Sequence, residues 1–347
     1  MKNLKIENPD DLLKCQDNPK IIQNQIIDYL ITLKNPPYSL RHQTRSQYLA
    51  AIMTFYESND VYLQKKKIYR YLGEEERPLE NRGYTTEEIA KMLEFGDERV
   101  RAIILFLAST GVRIRAITEF KFGDLTSIPE YGLYKVRVYA EAKQRYFTFT
   151  TPEATKMLDS YLKYRKNSGE KLVSSSPLFR DQFNRNDPES VHNPQPIKLR
   201  ALESLISQTL QKSGITSVEP HTELQDNHGR IRKSVRLTGG FRKFFDTQLI
   251  CAKVERPIKA MFMGHSIGLD DHYFKPSEDY VLQEYAKAID ALTINEENRL
   301  KKQVKELTNK QSEIQDLKEK ILLMEASQKE ILECLKYPDR LAEISKS

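Results

Sequence analysis

The sequence lacks the cysteine patterns that indicate a disulfide framework or a zinc site. Its 347 residues include three cysteines, which lie far apart at Cys15, Cys251 and Cys334. Disulfide scaffolds use paired cysteines and zinc sites use closely spaced ones, yet the sequence has no CxxC pair. We therefore expect a protein of a reducing compartment without structural zinc.

Long apolar stretches are also missing. No run of about 18 apolar residues, the length that crosses a bilayer, occurs in the chain. The first residues, MKNLKIENPDDLLK, carry acids where a secretory signal needs an apolar core. These absences predict a cytoplasmic protein with no membrane partner.

Motifs for nucleotide or metal binding are not found either. The sequence has no GxxxxGK loop for phosphates. His221 and His228 lie seven residues apart, with no cysteine or acid at ligand spacing. We therefore expect neither a metal nor an organic cofactor.

What the chain does contain is enough apolar residues for two cores and an excess of positive charge. Hydrophobic residues make up 39% and charged residues 30%, with a formal net charge of +6. A chain of this length can bury two cores. Nucleic acid is a reasonable partner for a basic protein, although charge alone does not establish it.

Residues 1–74 are predicted to form a helical domain. Apolar residues recur at helical spacing from Pro19 to Leu33 and from about Ser39 to Ser58, and a short third helix carries lysines among tyrosines. Cations interleaved with aromatic rings suit a DNA backbone. A solvated surface with inward-packed tyrosines is an equally good interpretation of this segment alone. The candidate DNA-binding residues are Arg41, Arg45, Lys65, Lys66 and Lys67.

Residues 84–293 are predicted to form a second domain, joined to the first by a polar linker at 75–83. A capping pattern at Thr85 opens one helix, and an apolar helix over about Asp97 to Ser109 marks the core. Alternating residues at 134–139 and 145–150 predict a β-hairpin. The expected fold is therefore mainly α with a small antiparallel sheet.

Arg113 is the most unusual cation of this predicted domain. If Val112 to Phe120 is a helix, Arg113 lies near the centre of its apolar face. A cation in that place needs an anion or a hydrogen-bond network. A structural buried ion pair is the alternative to a functional anion site.

Four further residues have individually ordinary interpretations. Lys143 falls near the tip of the hairpin, where most lysines are only solvated. Arg242 lies on a helix that starts near Gly240, where a surface pair with Asp246 would account for it. His265 follows a glycine, and Tyr273 lies in a Gly/Asp-containing loop.

Taken together in chain order, these residues resemble the tyrosine recombinase, or phage integrase, family. The resemblance covers roughly residues 80–290, and the continuation YFKPSEDYVLQEYAKAIDALTI is similar to the archaeal branch. The N-terminal helices resemble the family's core-binding domain. The matching motifs are STGVRIRAI around Arg113, AEAKQRYFTF around Lys143, GGFRKFF around Arg242, MGHS around His265 and DDHYFKP around Tyr273.

The resemblance implies a site-specific recombinase of a mobile element that acts on double-stranded DNA without metal or ATP. It assigns Arg113 and Arg242 to the scissile phosphate, with His265 as a further hydrogen-bonding residue. By the same resemblance, Lys143 would protonate the 5′-oxygen leaving group, and Tyr273 would form a 3′-phosphotyrosine link. It also implies a nucleoid-associated homo-oligomer, tetrameric in the synapse.

Two features depart from the family pattern. Gly239 stands where the family commonly has a histidine, and His228 or Lys243 would have to compensate. The step from His265 to Tyr273 is eight residues, one shorter than is common, so Tyr280 and Tyr285 are rival nucleophiles. A catalytically silent DNA-binding protein and a DNA-relaxing topoisomerase are the alternative functions.

Residues 294–337 are predicted to form a coiled coil, followed by a tail at 338–347. Apolar residues follow steps of three and four, with Gln311 and Gln328 at seam positions. A single amphipathic helix that folds back on the second domain is the alternative. The apolar seam residues are Val304, Leu307, Ile314, Leu317, Ile321, Met324, Ile331 and Leu335.

Overall fold

The computed structural model describes residues 12–13, 16–75, 82–142, 144–215, 235–267, 273–295, 311, 315 and 317–329. The chain folds into two compact units. One holds the described residues up to Glu75, and the other holds those from Arg82 onwards. In the part of the chain that the structure describes, no helix has the length and hydropathy to cross a membrane.

The first unit is a small helical bundle, as the apolar spacing predicts. It contains α1 (Pro19–Lys34), α2 (His42–Ser58) and α3 (Lys65–Tyr69), with a 3₁₀ turn at Arg70–Leu72. Pro19 occupies the first turn of α1, where its missing N–H costs no hydrogen bond. The core of this unit is formed by one apolar face from each helix, including Ile22, Leu30, Leu49, Met53 and Ile68.

The second unit is built mainly from helices around one large core. Its first helix begins at a capping box, in which Thr85 and Glu88 exchange side-chain and backbone hydrogen bonds. The next helix is buried along nearly its whole length and packs against later helices on two sides. The helices are α4 (Thr86–Phe95), α5 (Glu98–Thr110), α6 (Ile114–Ile117), α7 (Pro152–Asn167), α8 (Pro188–His192), α9 (Leu199–Lys212), α10 (Gly239–Cys251), α11 (Arg256–Phe262) and α12 (Glu278–Leu292).

A three-stranded antiparallel sheet completes this unit. The strands β1 (Leu125–Ile128), β2 (Leu133–Val138) and β3 (Tyr146–Phe149) pair in the order β1-β2-β3. The hairpin of β2 and β3 agrees with the predicted one, and the mainly α fold with a small antiparallel sheet is confirmed. β1 was not predicted, because its four residues include exposed Thr126 and Ser127 and lack a clear alternation.

The predicted helix from Val112 to Phe120 is wrong. The chain leaves α5 at Gly111, which has a left-handed backbone (φ +62°), and Arg113 is extended with ψ 141°. Helix α6 therefore has only four residues and begins after Arg113. Since Arg113 precedes the helix, it is exposed rather than buried in an apolar face, and it needs no buried partner.

The long connection between α7 and α9 is also more ordered than its polar composition suggests. Three charged residues of this region, Arg165, Glu170 and Arg180, are buried. Both arginines pair with the carboxylate of Glu170. Arg165 Nε lies 3.0 Å from Glu170 Oε2, and Arg180 Nη1 lies 2.7 Å from the same oxygen. One carboxylate thus pairs with two buried guanidinium groups and fixes this connection to the end of α7.

Residues 317–329 of the predicted coiled coil are helical. Their side chains are exposed, including the seam residues Leu317, Ile321 and Met324. The rest of the predicted seam, apart from Gln311 and Gln328, lies outside the described residues. The predicted domain boundaries remain predictions.

Candidate active site

Arg242 is the residue around which the site is arranged. It lies in the first turn of α10 and is half-buried. Its Nη1 donates a hydrogen bond to the carbonyl oxygen of Gly111 at 2.7 Å, and its Nη2 donates to the carbonyl of Met263. The guanidinium therefore links the end of α5 to the end of α11 and is held in one orientation by both.

Gly111 makes this arrangement possible. Its left-handed backbone ends α5 and turns its carbonyl towards Arg242. A Cβ at this position would lie 2.1 Å from Cδ1 of Phe245, so only glycine fits. The STG motif before Arg113 is thus explained by packing as well as by backbone conformation.

His265 lies directly beside the arginine. Its Nε2 is 3.0 Å from Arg242 Nη2, and its backbone N–H donates to the carbonyl of Ala260 at 2.9 Å. Burial and the charges of Arg242 and Arg113 lower the pKa of His265 below its ordinary value. The imidazole is therefore neutral at neutral pH, and Nε2 accepts the hydrogen bond from the arginine.

Arg113 contributes charge to the same cluster. The pKa of Arg242 is lowered by burial and by the nearby positive charge of Arg113, which also acts on His265. Because a guanidinium remains charged even with such a shift, the site concentrates two cations beside a neutral imidazole. An arrangement of this kind binds an anion such as a phosphate diester.

The predicted alternative for Arg242, a surface pair with Asp246, is not formed. Asp246 instead pairs with Lys259 of α11, at 2.7 Å. The hydrogen bonds of Arg242 thus go to backbone carbonyls and to His265, which leaves the guanidinium charge uncompensated by Asp246.

Tyr273 is 87% exposed and makes no hydrogen bond within the described part of the chain. Its two rivals are engaged elsewhere. The hydroxyl of Tyr280 donates to Glu255 at 2.6 Å, and this bond together with burial raises the pKa of Tyr280 to about 12. Tyr285 is fully buried and donates to the carbonyl of Ser109 at 2.8 Å. Both environments hold the phenol in its neutral form.

Other sequence-predicted site residues have more limited structural support. Lys143 and His228 lie outside the described residues. Gly239 is the first residue of α10, and among the described residues a Cβ there would meet Arg236 alone, at 3.4 Å and beyond. Burial and Arg236 lower the pKa of Lys243, which follows Arg242 directly.

Within the described residues, no group of three or more His, Cys, Asp or Glu side chains forms a metal site.

In the first unit, Arg45 differs from its predicted role. Its side chain is buried, and it donates to the carbonyl of Leu72 through Nε at 3.2 Å and Nη2 at 2.7 Å, and to Leu40 through Nη1. These bonds tie α2 to the 3₁₀ turn, so Arg45 stabilises the unit and is not available to DNA. Lys65 pairs with Glu57, whereas Lys66 and Lys67 are exposed. Arg41 is also exposed.

The sequence interpretation missed Tyr146, whose ring and hydroxyl lie next to Arg242. It is the first residue of β3 and was assigned only to the alternating hairpin pattern. Its electrostatic coupling to both Arg242 and Arg113 places it in the same cluster. The only sequence signal was its position three residues after Lys143 in the AEAKQRYFTF motif.

Comparisons with known proteins identify the fold. No protein-family model matches the sequence, and no curated protein matches it. A variant of the Tn1549 transposon integrase, in complex with transposon right end DNA, aligns at 13% identity over 82% of this chain and 94% of that chain, with a TM-score of 0.51. Another variant, in complex with a circular intermediate DNA, aligns at 14% identity over 80% and 91%, with a TM-score of 0.52. The XerH site-specific recombinase, bound to difH substrate, aligns at 16% identity over 76% and 70%, with a TM-score of 0.48.

The two Tn1549 comparisons show that the chain shares the fold of that transposon integrase. The fold expected from the sequence resemblance is therefore confirmed. Placement in the archaeal branch remains a prediction. Because identities of this size establish the fold alone, activity has to be argued from the site.

Proposed function

We propose that this chain is a site-specific DNA recombinase that cleaves and rejoins DNA strands through a 3′-phosphotyrosine intermediate. The observation that carries the proposal is the position of Arg242, held by the carbonyls of Gly111 and Met263 beside His265 and Arg113. These three side chains come from distant parts of the sequence. In a chain with an integrase fold, this cluster supports a site for the scissile phosphate of DNA.

The chemistry of this cluster suits phosphoryl transfer. A phosphodiester carries one negative charge, and a second develops on its non-bridging oxygens as a nucleophile attacks. Two guanidinium groups stabilise that developing charge without any proton transfer, since both are already cationic. The neutral His265 adds a hydrogen-bonding group to the same place.

The covalent step uses Tyr273. Its phenolic oxygen forms a bond to phosphorus and loses its proton to solvent, while the bond from phosphorus to the 5′-oxygen breaks. The leaving 5′-oxygen takes a proton from Lys143, which is the role implied by the family resemblance. Attack of a 5′-hydroxyl from a partner strand then reverses these changes, so each step exchanges one phosphate ester for another and needs no ATP.

Tyr273 is favoured over its rivals by accessibility. An exposed phenol can reach a DNA strand, whereas Tyr285 lies in the core and Tyr280 is bound to the Glu255 carboxylate. A phenol must lose its proton to act as a nucleophile, and the raised pKa of Tyr280 opposes that loss.

Double-stranded DNA is the proposed partner. The Tn1549 integrase was solved in complex with DNA, and this chain is basic overall. Lys66 and Lys67 on α3 of the first unit are exposed. The nearby Tyr62, Tyr69 and Tyr71 are exposed as well. We also propose a nucleoid location and a homo-oligomer on DNA, tetrameric in the synapse.

A catalytically silent DNA-binding protein is the second candidate, and Gly239 is the observation that favours it. Glycine at this position supplies no proton carrier, where the family commonly has histidine. A silent protein would bind the same DNA and leave it intact.

The test is to trap the covalent intermediate. The protein is incubated with overlapping nicked duplexes that together cover the DNA on either side of the coding sequence. Adducts that are stable in SDS are then collected. We expect an adduct that wild type and Tyr280→Phe form and Tyr273→Phe does not, with DNA binding intact in all three.

Each other outcome selects an alternative. Binding of the same duplexes without an adduct in wild type would select the silent protein. An adduct that persists in Tyr273→Phe would assign the nucleophile elsewhere. Relaxation of supercoiled plasmids that lack the bound site would select a topoisomerase.

A further inference from the structure

The hydroxyl of Tyr146 is buried beside Arg242, and among the described residues it has no hydrogen-bond partner of normal geometry. Tyr146 begins β3, opposite Val138 of β2, and its ring contacts Tyr139 edge-on at a centroid distance of 6.2 Å. Among the described residues, no group forms a hydrogen bond of normal geometry with its Oη. Buried hydroxyls are nearly always paired, so an unpaired one requires an explanation.

The neighbour of this hydroxyl is the guanidinium of Arg242. Burial raises the pKa of Tyr146, and the adjacent Arg242, together with Arg113, opposes that rise. The phenol is therefore neutral and lies close to the cation, although no hydrogen bond of normal geometry joins the two. A small movement of either group would complete that bond.

The backbone is adapted to bring the ring to this place. Gly264 has a left-handed backbone (φ +58°), and a Cβ on it would lie 2.5 Å from Cε1 of Tyr146. The ring thus packs directly against the residue between Met263 and His265, which both contact Arg242. Tyr146 therefore touches the segment that positions two groups of the site.

Stability alone does not account for the hydroxyl. Phenylalanine would keep the ring and its contacts with Gly264 and Tyr139 and would remove the unpaired oxygen. Leaving a buried polar group unpaired is unfavourable for folding. Its position beside Arg242 makes a role in the site the better explanation.

We propose that Tyr146 is a positioning residue for Arg242, whose hydroxyl accepts a hydrogen bond from the guanidinium when a phosphate occupies the site. The bond holds the guanidinium in one orientation towards the phosphate oxygens. This inference rests on the proposed function, because it takes the ligand of Arg242 to be a phosphate diester.

The test compares Tyr146→Phe with Tyr134→Phe, a matched loss of one hydroxyl from the same sheet. Tyr134 on β2 donates a hydrogen bond to Asp159 at 2.7 Å. Its removal is expected to lower the melting temperature and to leave the site unchanged. Removal of the Tyr146 hydroxyl is expected to maintain or raise the melting temperature and to weaken the site.

Two measurements report on the site, namely its affinity for phosphate and its rate of adduct formation. Inorganic phosphate is titrated by calorimetry at constant ionic strength, with Arg242→Ala as the variant that abolishes specific binding. The rate of covalent adduct formation is measured at saturating DNA. For Tyr146→Phe we expect roughly tenfold weaker phosphate binding and a roughly tenfold slower adduct rate, with unchanged DNA affinity.

The outcomes separate this inference from the proposed function. Unchanged phosphate affinity in Tyr146→Phe, or a lowered melting temperature with a normal site, would overturn the role of Tyr146. If wild type forms no adduct, the recombinase assignment fails, while the phosphate titration still decides the role of Tyr146. If wild type binds no phosphate in an Arg242-dependent way, the anion site and the role of Tyr146 are both overturned.

Discussion

Gly239 is the residue at which this chain departs most clearly from the family it resembles. It begins α10 three positions before Arg242, so a side chain at this position would share one face of the helix with Arg242. Among the described residues, a Cβ at Gly239 meets Arg236 alone, at 3.4 Å and beyond. The described backbone and side chains therefore accept a Cβ at this position.

We predict that Gly239→His accelerates adduct formation by at least about tenfold, because a positioned proton carrier typically contributes that much or more. Gly239→Ala is the control, since it adds a Cβ without an imidazole and is expected to match wild type. Single-turnover rates on the trapped substrate measure the effect. Equal rates for the histidine and alanine variants would show that the imidazole has no role at this position.

His265 carries the pH dependence of the cluster. An unfolded histidine titrates near about 6.5, and burial with Arg242 and Arg113 lowers the pKa in the folded chain. Below about pH 6.5 the unfolded state therefore binds more protons than the folded state does. The stabilising effect of the neutral ring is complete above about pH 6.5 and is lost as the pH falls through the lowered folded pKa.

We predict that NMR titration finds the pKa of His265 below about 6.5 in wild type and closer to that value in Arg242→Ala. Burial, the largest cause of the shift, is reduced only in part by this substitution. His265→Gln identifies the signal. A value at or above the unfolded reference in wild type would contradict a neutral ring that accepts from Arg242.

At the scale of secondary-structure elements, the ends of helices position the site. Arg242 is held by carbonyls at the end of α5 and after the end of α11, and His265 follows that second end. Helix ends leave carbonyl groups without partners inside the helix. Here the guanidinium supplies the missing donors, so helix termination and site assembly depend on the same contacts.

We predict that Gly111→Ala destabilises the chain far more than Gly132→Ala does. Both glycines are left-handed, at φ +62° and +65°, which costs an alanine about 1–2 kcal/mol. A Cβ at Gly132 meets only Pro152 at 4.0 Å, whereas at Gly111 it overlaps Phe245 at 2.1 Å. Overpacking raises the expected loss at Gly111 to roughly 2–5 kcal/mol.

Urea unfolding of the two variants measures this difference. Gly111→Ala is also expected to abolish adduct formation, because the clash with Phe245 displaces the backbone carbonyl that accepts from Arg242. Gly132→Ala is expected to remain active. Similar losses of stability in both would mean that the contact with Phe245 relaxes without cost.

At the scale of the whole molecule, the exposed helix at residues 317–329 suggests self-association. Leu317, Ile321 and Met324 follow steps of four and three, and all are more than half exposed. Apolar residues with this spacing form the seam of a coiled coil. A second copy of the chain is the partner that fits the proposed homo-oligomer on DNA.

We predict that Ile321→Asp lowers the sedimenting mass of the protein in the absence of DNA. Leu323→Asp is the matched control, because Leu323 is also exposed but lies off the seam. A charge at a seam position is buried in an oligomer, whereas one off the seam remains solvated. Identical sedimentation of both variants and wild type would show that this helix does not drive association.

Much of the fold followed from local patterns in the sequence. The helices from Pro19, Thr86 and Glu98 have strong apolar spacing, and the start of the second is also fixed by a capping box, so their positions were predicted closely. The four-residue strand β1 and the short helix α6 lack such patterns. β1 is defined by its pairing with β2, and α6 begins only after the left-handed turn at Gly111 and the extended Arg113.

The sequence by itself determined which residues are candidates for the site, because their types and order form a recognisable pattern. The tertiary structure decided how these residues are used. It placed Arg113 outside its helix, buried Arg45 against backbone carbonyls, and brought the unpaired Tyr146 hydroxyl to Arg242. The physical reason is that burial and hydrogen bonding depend on contacts between distant segments, which no local periodicity specifies.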